Sequence, residues 1–511
     1  MSGVSLTGRA GAVFGACGLA RTSLRIVALA GMALLGIALV WTCLQRGPWY
    51  DEFYTQYVTR PGLPWGRALR ESWMADNHPP LYYILARATA WLGSIAHHRL
   101  LNVALGALAL AGGLAIVRDV PRLAPAAAVL ILELSANPWS LIAGSELRSY
   151  FLSLCAGTVF ALGLCAIRLT RQAGTPLRQT AFWSATFLAF NTHIITSLAA
   201  AAIALPFVLA SLVRRDWREA RAICLPVAAG GLTFVAVTAI QLPVWLSNTR
   251  VFWIEPGFDS ARWSVEWALL RTLEANPVVL LAGLAGAVLL ARDTLVQKKA
   301  SGEAGALALL ALGTVLAAAG LVALHLLRPI LIEKYLMALV AAVCVGLGLA
   351  GGRLLESLGQ RLRVLVLVAA LAASAYALVQ NVPQAVNRVS WLATGRAIVE
   401  QVKRCPGTVV HTDPYWNAEV MAMLPRDNAQ VVPFAYRYVA KSFGFRLAPS
   451  GSRETAASCP TVFWGEHDSK QRFDAAAVAE HLRQSGFAVK GMDFQRLEDG
   501  WIAIVPPTAT R

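Results

Sequence analysis

The residues best suited to chemistry lie in one stretch after the first apolar segment of the chain. Asp51 and Glu52 stand within an aromatic run, and Asp76 and His78 follow in the same stretch, ahead of two prolines and two tyrosines. A carboxylate can accept the proton of a hydroxyl as that hydroxyl attacks an electrophilic carbon, and aromatic rings can line a substrate path. An acidic pair alone is also typical of a helix end at a membrane surface.

Two cations further along the chain could complete such a site. Arg148 stands between Glu146 and Tyr150, and Lys334 lies between Glu333 and Tyr335. Arginine binds phosphate through two parallel hydrogen bonds, whereas lysine acts as a point charge. Transfer of a sugar from a lipid phosphate needs little else, because phosphate leaves readily once cations balance its charge. The alternative is that both residues anchor the chain at the membrane interface.

Three histidines are predicted to lie at a similar depth. His78 belongs to the first outer stretch, and His193 and His325 fall at the outer ends of later apolar segments. With Glu52 they form a candidate site for a divalent metal ion, which imidazole and carboxylate both bind. The alternatives are that His78 contacts an acceptor or only buttresses the loop, and that the common depth is a coincidence. A divalent metal is the one candidate cofactor.

The composition predicts which elements hold these residues. Hydrophobic residues make up 57% of the 511, charged residues only 14%, and the mean hydropathy is +0.54. Apolar runs about 20 residues long recur, which predicts an all-α polytopic membrane bundle. The net charge of +16 lies in short Arg and Lys clusters between those runs. That is the positive-inside pattern, and it argues against nucleic-acid binding.

The basic clusters also predict the topology. If all of them are cytoplasmic, each stretch between two clusters must cross the membrane an even number of times. This rule decides segment 81–96, which is short, contains Arg87 and places its apolar residues on one helical face. We predict that this segment lies in the interface. The N-terminus is then cytoplasmic and the first outer loop is 45–99, with about eleven spans at 26–44, 100–117, 123–141, 149–167, 179–192, 194–213, 222–246, 277–291, 304–325, 335–351 and 364–382.

The tail changes character after the last predicted span. Residues 1–382 form the predicted membrane domain, and residues 383–511 are predicted to form a small periplasmic α/β domain. A helix is predicted at 475–484, and β-rich runs stand at 408–411, 430–434, 461–464, 487–489 and 501–505.

Two cysteines of the tail are predicted to pair. Cys405 and Cys459 each open a Cys-Pro followed by a β-rich run. If these runs are neighbouring parallel strands, both cysteines lie at one sheet edge, close enough for a disulfide in an oxidising location. Two reduced, buried thiols are the alternative. The other six cysteines fall in the N-terminal segment or in or beside predicted spans, and we expect small apolar behaviour of them.

These motifs resemble a known superfamily. The acidic pair after the first span, followed by Asp76-x-His78-Pro79-Pro80, resembles the protein O-mannosyltransferases and their bacterial relatives of the GT-C class. Those relatives include the lipid A aminoarabinose transferases and the galacturonosyl transferases. The resemblance covers most of 26–350 and continues in 93–99, in Glu146-x-Arg148-Ser149-Tyr150 and in Glu333-Lys334-Tyr335, where relatives more often have Arg-Tyr.

The resemblance implies an inverting glycosyltransferase of the inner membrane. Its donor would be a sugar on a polyprenyl phosphate, and its acceptor a lipid, glycan or protein at the periplasmic face. Asp51 is implied as the catalytic base, supported by Glu52, with substrate bound by Asp76, His78, Tyr82, Arg148, Tyr150 and Lys334. The tail does not match the luminal domain of eukaryotic members, which makes a lipid or glycan the favoured acceptor.

Two other functions compete with this interpretation. A transporter or flippase of a lipid-linked saccharide should show mid-membrane charges and two similar halves. The chain has few such charges, Glu133 being one, and no clear repeat. A sensor whose tail binds a ligand would leave the acidic loop unexplained.

Overall fold

The computed structural model describes residues 7–76, 78–247, 254–296, 302–423, 427–468 and 471–507, with side chains from Thr22 onward. The chain is 74% helical and carries a small C-terminal sheet, which confirms the predicted fold class. Its first half forms helices α1 Thr7–Gln45, α2 Tyr50–Val58, α3 Trp65–Arg67, α4 Leu81–Ala88, α5 Ile95–His98, α6 Leu100–Asp119, α7 Ala124–Ala136, α8 Pro138–Gly144, α9 Tyr150–Thr170, α10 Pro176–Thr192, α11 Ile194–Val213 and α12 Trp217–Ser247.

The second half completes the bundle and adds the tail. Its helices are α13 Phe258–Leu273, α14 Pro277–Leu295, α15 Gly302–Leu327, α16 Met337–Ser357, α17 Gln360–Val386, α18 Leu392–Arg404, α19 Ala418–Ala422, α20 Asn428–Phe443 and α21 Ala475–Gln484. The strands are β1 Val409–Thr412, β2 Thr461–Gly465, β3 Asp493–Leu497 and β4 Gly500–Val505.

Each of the eleven predicted spans corresponds to a helix or a pair of helices. Two of the spans are not single long helices. In the described part of the chain, nine helices are long and apolar enough to cross a membrane. The predicted span 123–141 is a pair, α7 and α8, bent by 64° at Asn137. The predicted span 179–192 corresponds to α10, which has 17 residues. His193 separates α10 from α11, as expected for a hairpin.

Segment 81–96 contains no single helix long enough to cross. Its helix, α4, has eight residues, whereas a crossing needs about 20. The predicted helix ends at Thr89, which has φ −106° and ψ 8°, and Gly93 with φ +81° then turns the chain before Ser94 caps α5. Tyr82 and Tyr83 are buried, while Ile84 and Trp91 on the predicted apolar face are exposed. The position of this segment in the interface stays a prediction.

Labelling from outside the cell tests this topology. Arg118, near the end of α6, belongs to a cluster that we expect to be cytoplasmic. In a background without other reactive thiols, Arg118→Cys should resist a membrane-impermeant thiol reagent. Glu71→Cys, at an exposed position of the first outer loop, should react readily and serves as the matched control. Ready labelling of Arg118→Cys would show that segment 81–96 crosses the membrane.

The tail is an α/β domain with one four-stranded sheet of order β1-β2-β4-β3. β1 and β2 are parallel, and the other neighbours are antiparallel. Two of the predicted strands are wrong. Residues 430–434 belong to α20, because Val431, Val432, Ala435 and Val439 form one buried helical face. Residues 487–489 lie outside the strands, and β3 is the strand that the sequence reading missed.

The predicted disulfide is confirmed. Cys405 and Cys459 are bonded, with their Cα atoms 5.7 Å apart, ahead of the parallel strands β1 and β2. Among the described side chains, the other cysteines are free, and Cys17 lies outside them. α17 continues to Val386, a turn beyond the predicted boundary at residue 382.

Candidate active site

Asp51 lies in the first turn of α2. This helix begins at Tyr50, directly after the extended residue Trp49. The Asp51 side chain is 29% exposed, and its Oδ2 lies 3.7 Å from Nε of the buried Arg148. A carboxylate is stabilised at this position because the helix N-terminus is the positive end of the dipole. Asp51 is therefore an accessible carboxylate beside a cation, which suits a base that must meet a hydroxyl.

Glu52, one residue later, has a different environment. Its side chain is fully buried and pairs with Arg99, whose Nε and Nη2 lie 2.7 and 2.6 Å from its two oxygens. The amide of Leu147 also donates to Glu52 Oε1 at 2.7 Å. The sequence predicts that this carboxylate supports the base or a metal. It instead ties α2 to Arg99 and to the loop before α9, because the adjacent helix position points inward.

Asp76, His78 and Arg148 form a chain of polar contacts. The Tyr83 hydroxyl donates to Asp76, His78 Nδ1 lies 3.3 Å from Asp76 Oδ2, and His78 Nε2 lies 3.3 Å from Arg148 Nη2. Arginine is always a donor, so His78 Nε2 accepts in this contact, and Nδ1 faces the Asp76 carboxylate. Burial raises the pKa of Asp76, but His78 and Arg148 outweigh it and hold that pKa below its usual value.

The backbone of this segment is held by α12. The Gln241 amide donates to the carbonyls of Trp73, Asp76 and His78 at 3.2, 3.1 and 2.9 Å. The sequence reading missed Gln241, which lies more than 160 residues from its partners. It also missed Tyr83, although the Tyr82-Tyr83 pair follows the His78 motif directly.

Arg148 is built into the site. It is 6% exposed, and its Nη1 lies 3.4 Å from the Tyr83 hydroxyl and 3.5 Å from Thr55 Oγ1. Burial lowers the pKa of Arg148, but Asp51 and the neighbouring acids outweigh it, so the guanidinium remains charged. These contacts exclude the interfacial-anchor alternative, since an anchor would extend into water.

Lys334 approaches the same region from the turn before α16. Its Nζ lies 3.9 Å from the centre of the Trp49 ring and 5.3 Å from that of Tyr150. Burial lowers the pKa of Lys334, and Glu146 and Asp51 oppose that effect. Glu146 itself pairs with the buried Arg46 at 2.8 Å. Lys334 thus adds a second cation near Asp51.

Aromatic rings pack next to these charged residues. The His193 ring lies 5.1 Å from His78, 4.6 Å from Tyr335 and 6.0 Å from Tyr150, and its Nδ1 accepts from the Ile195 amide at 3.2 Å. The Tyr82 hydroxyl donates to Asn102 Oδ1 at 3.2 Å. Tyr150 therefore lines the site, whereas Tyr82 supports it.

The structure does not assemble the predicted metal site. Within the described residues, no group of three or more His, Cys, Asp or Glu side chains could hold a metal ion. Arg99 and Leu147 occupy the oxygens of Glu52, and His325 Nδ1 accepts from the amides of Ile330 and Leu331. Only His78 and His193 of the predicted set are neighbours. The four residues were grouped by predicted depth, which leaves their lateral positions undefined.

Comparisons with known proteins identify the fold. No family model and no curated protein matches the chain. Among solved structures, the chain is similar to apo ArnT from Cupriavidus metallidurans, with 14% identity, a TM-score of 0.51 and coverage of 93% of this chain and 97% of that one. For ArnT bound to undecaprenyl phosphate, identity is 14%, the TM-score 0.51 and the coverage 95% and 98%. The chain therefore has the ArnT fold along nearly its whole length.

Proposed function

We propose that this chain, which shares the ArnT fold, is a membrane glycosyltransferase that takes a sugar from a polyprenyl phosphate. One observation carries the proposal. The accessible carboxylate of Asp51, at the start of α2, faces the buried guanidinium of Arg148, in the loop before α9. ArnT, which has the same fold, has been solved with undecaprenyl phosphate bound. The lipid phosphate bound by ArnT supports a donor of the same chemical class for this chain.

The geometry supports a direct displacement. Asp51 accepts the proton of an acceptor hydroxyl while the hydroxyl oxygen attacks the anomeric carbon of the donor. The bond from that carbon to the phosphate oxygen breaks, and polyprenyl phosphate leaves with the bonding electrons. Arg148 and Lys334 balance the charge on the phosphate as it departs. A single displacement inverts the anomeric configuration.

The topology predicted from the basic clusters supports a periplasmic location for the reaction. With the N-terminus cytoplasmic, the loop that carries Asp51 lies on the periplasmic face of the inner membrane. The acceptor is then a lipid or glycan of the envelope. Mass spectrometry of envelope lipids and glycans from a deletion strain should show one species that has lost a single sugar. An unchanged envelope profile would contradict an envelope acceptor.

The donor assay separates an enzyme from a flippase. Purified protein in nanodiscs should release polyprenyl phosphate from a labelled pentosyl, hexosyl or uronosyl donor when an envelope extract supplies the acceptor. A flippase would instead move the intact donor across a proteoliposome membrane. Donor transport without release of polyprenyl phosphate would overturn the proposal.

Substituting Arg148 tests its role at the phosphate. Arg148→Lys keeps the charge but loses the paired donors, so transfer should fall by about tenfold or more. Arg148→Ala should weaken donor binding further, as measured by the KM for the polyprenyl-phosphate sugar. Arg67→Lys, at an exposed position of the first outer loop, is the matched control. Normal donor KM and turnover in Arg148→Ala would remove Arg148 from the phosphate site.

A further inference from the structure

The C-terminal domain reaches the candidate active site through the helix that carries Asp51. α2 packs against α20, and both contribute to one apolar core. The Phe53 ring of α2 lies 5.0 Å from Trp391 and 5.5 Å from Tyr438, both in the C-terminal domain. α2 is thus held between the membrane bundle on one side and the C-terminal domain on the other.

One hydrogen bond on this surface involves the neighbour of Asp51. The Tyr50 hydroxyl lies 2.7 Å from Asn428 Oδ1, and both side chains are buried. Asn428 Nδ2 donates to the carbonyls of Val420 and Met423, each at 2.9 Å. These two bonds fix the amide orientation, so Oδ1 faces Tyr50 and accepts the hydrogen bond of its hydroxyl. Asn428 therefore holds Tyr50 from a fixed position within the C-terminal domain.

The segment ahead of α2 is held by the same domain. The Trp391 amide donates to the Pro48 carbonyl at 3.1 Å. A Cβ on Gly47 would lie 2.4 Å from Ser390 Oγ, so the two segments approach closely enough to require glycine. The Tyr50 ring also lies 5.0 Å from the ring of His467. Both the start of α2 and the turn before it are fixed by contacts with the C-terminal domain.

We propose that the C-terminal domain positions Asp51 for catalysis, with Tyr50 and Asn428 as positioning residues. The inference rests on the proposed function, because it gives the domain a part in the same transfer. α2 has nine residues, and a helix that short is marginal without tertiary packing. The 3.7 Å separation of Asp51 from Arg148 is longer than a hydrogen bond, so Arg148 alone does not fix the carboxylate. The position of the carboxylate therefore depends on where α2 holds the Asp51 backbone.

Removing the Tyr50 hydroxyl tests the proposal. Tyr50→Phe keeps the ring and should lower kcat by about tenfold while the donor KM stays unchanged, because a displacement of about 1 Å can cost up to about a hundredfold. Asn428→Ala should have a similar effect, and the double variant should be no worse than either single variant. Tyr438→Phe is the matched control: it removes another hydroxyl on this surface, which accepts from the Ile95 amide at 2.9 Å. Its kcat should equal that of the wild type.

Hydrogen–deuterium exchange across 50–58 gives a readout without activity. Exchange there should be faster in Tyr50→Phe than in Tyr438→Phe, at an unchanged melting temperature. If the wild type transferred no sugar at all, the proposed function would fail, and this exchange difference would still show that the domain holds α2. Equal exchange in the two variants would overturn the positioning role, as would a kcat of Tyr50→Phe equal to that of Tyr438→Phe.

Discussion

Asp51→Asn should nearly abolish sugar transfer while the protein remains folded and binds its donor. The carboxamide has the same shape but cannot accept the proton of the attacking hydroxyl, and a general base contributes about a hundredfold or more. The side chain is partly exposed and lies 3.7 Å from Arg148 without a hydrogen bond, and Arg148 keeps its contacts with Thr55, Tyr83 and His78, so the fold should tolerate the substitution. The measurement is the initial rate of transfer at saturating donor, together with the melting temperature.

Glu71→Gln is the matched control for this substitution. Glu71 is an exposed carboxylate in the same outer loop, paired with Arg67 at 2.8 Å. The same chemical change there should leave the transfer rate within twofold of the wild type. If Asp51→Asn also retained activity within a few-fold of the wild type, Asp51 would not be the base.

Glu52→Gln should cause a large loss of stability. Glu52 and Arg99 are both fully buried, and the substitution leaves a guanidinium without its counter-charge. Breaking a buried pair in this way costs about 3–5 kcal/mol. Thermal unfolding in detergent should show a melting temperature well below that of Glu71→Gln, which breaks an exposed pair worth at most about 1 kcal/mol.

The double variant Glu52→Gln/Arg99→Met separates charge from packing. It removes both charges, so its melting temperature should lie above that of Glu52→Gln alone. Equal melting temperatures for Glu52→Gln and Glu71→Gln would contradict the assignment of Glu52 as a structural ion-pair partner.

Much of the fold follows from local patterns that the sequence shows directly. Apolar runs and basic clusters predicted the helices of the bundle, and α21 was predicted at its observed bounds. The Cys405–Cys459 bond was predicted because two Cys-Pro runs preceded strands that proved parallel neighbours. By contrast, 430–434 was misread because a short β-branched run resembles a strand until the helical period of α20 is followed to its end.

The site was predicted less completely because its contacts join distant parts of the chain. Arg148 and His78 were both predicted as site residues, and their contact at 3.3 Å joins positions 70 residues apart. The local sequence does not distinguish Glu52 from Asp51. In the structure, Glu52 is buried in an ion pair with Arg99, whereas Asp51 remains accessible. The link from Tyr50 to Asn428 spans 378 residues and joins two domains, so no spacing rule could have indicated it.

The central claim is that the chain breaks the bond between the sugar and the lipid phosphate, and the fate of the bridging oxygen tests it most directly. A polyprenyl-phosphate sugar carrying oxygen-18 in that bridge is incubated with purified protein and acceptor, and the products are weighed by mass spectrometry. Displacement at the anomeric carbon predicts that the label remains in the released polyprenyl phosphate. Label recovered in a sugar phosphate, or a donor that stays intact, would contradict a glycosyltransferase at the Asp51–Arg148 site.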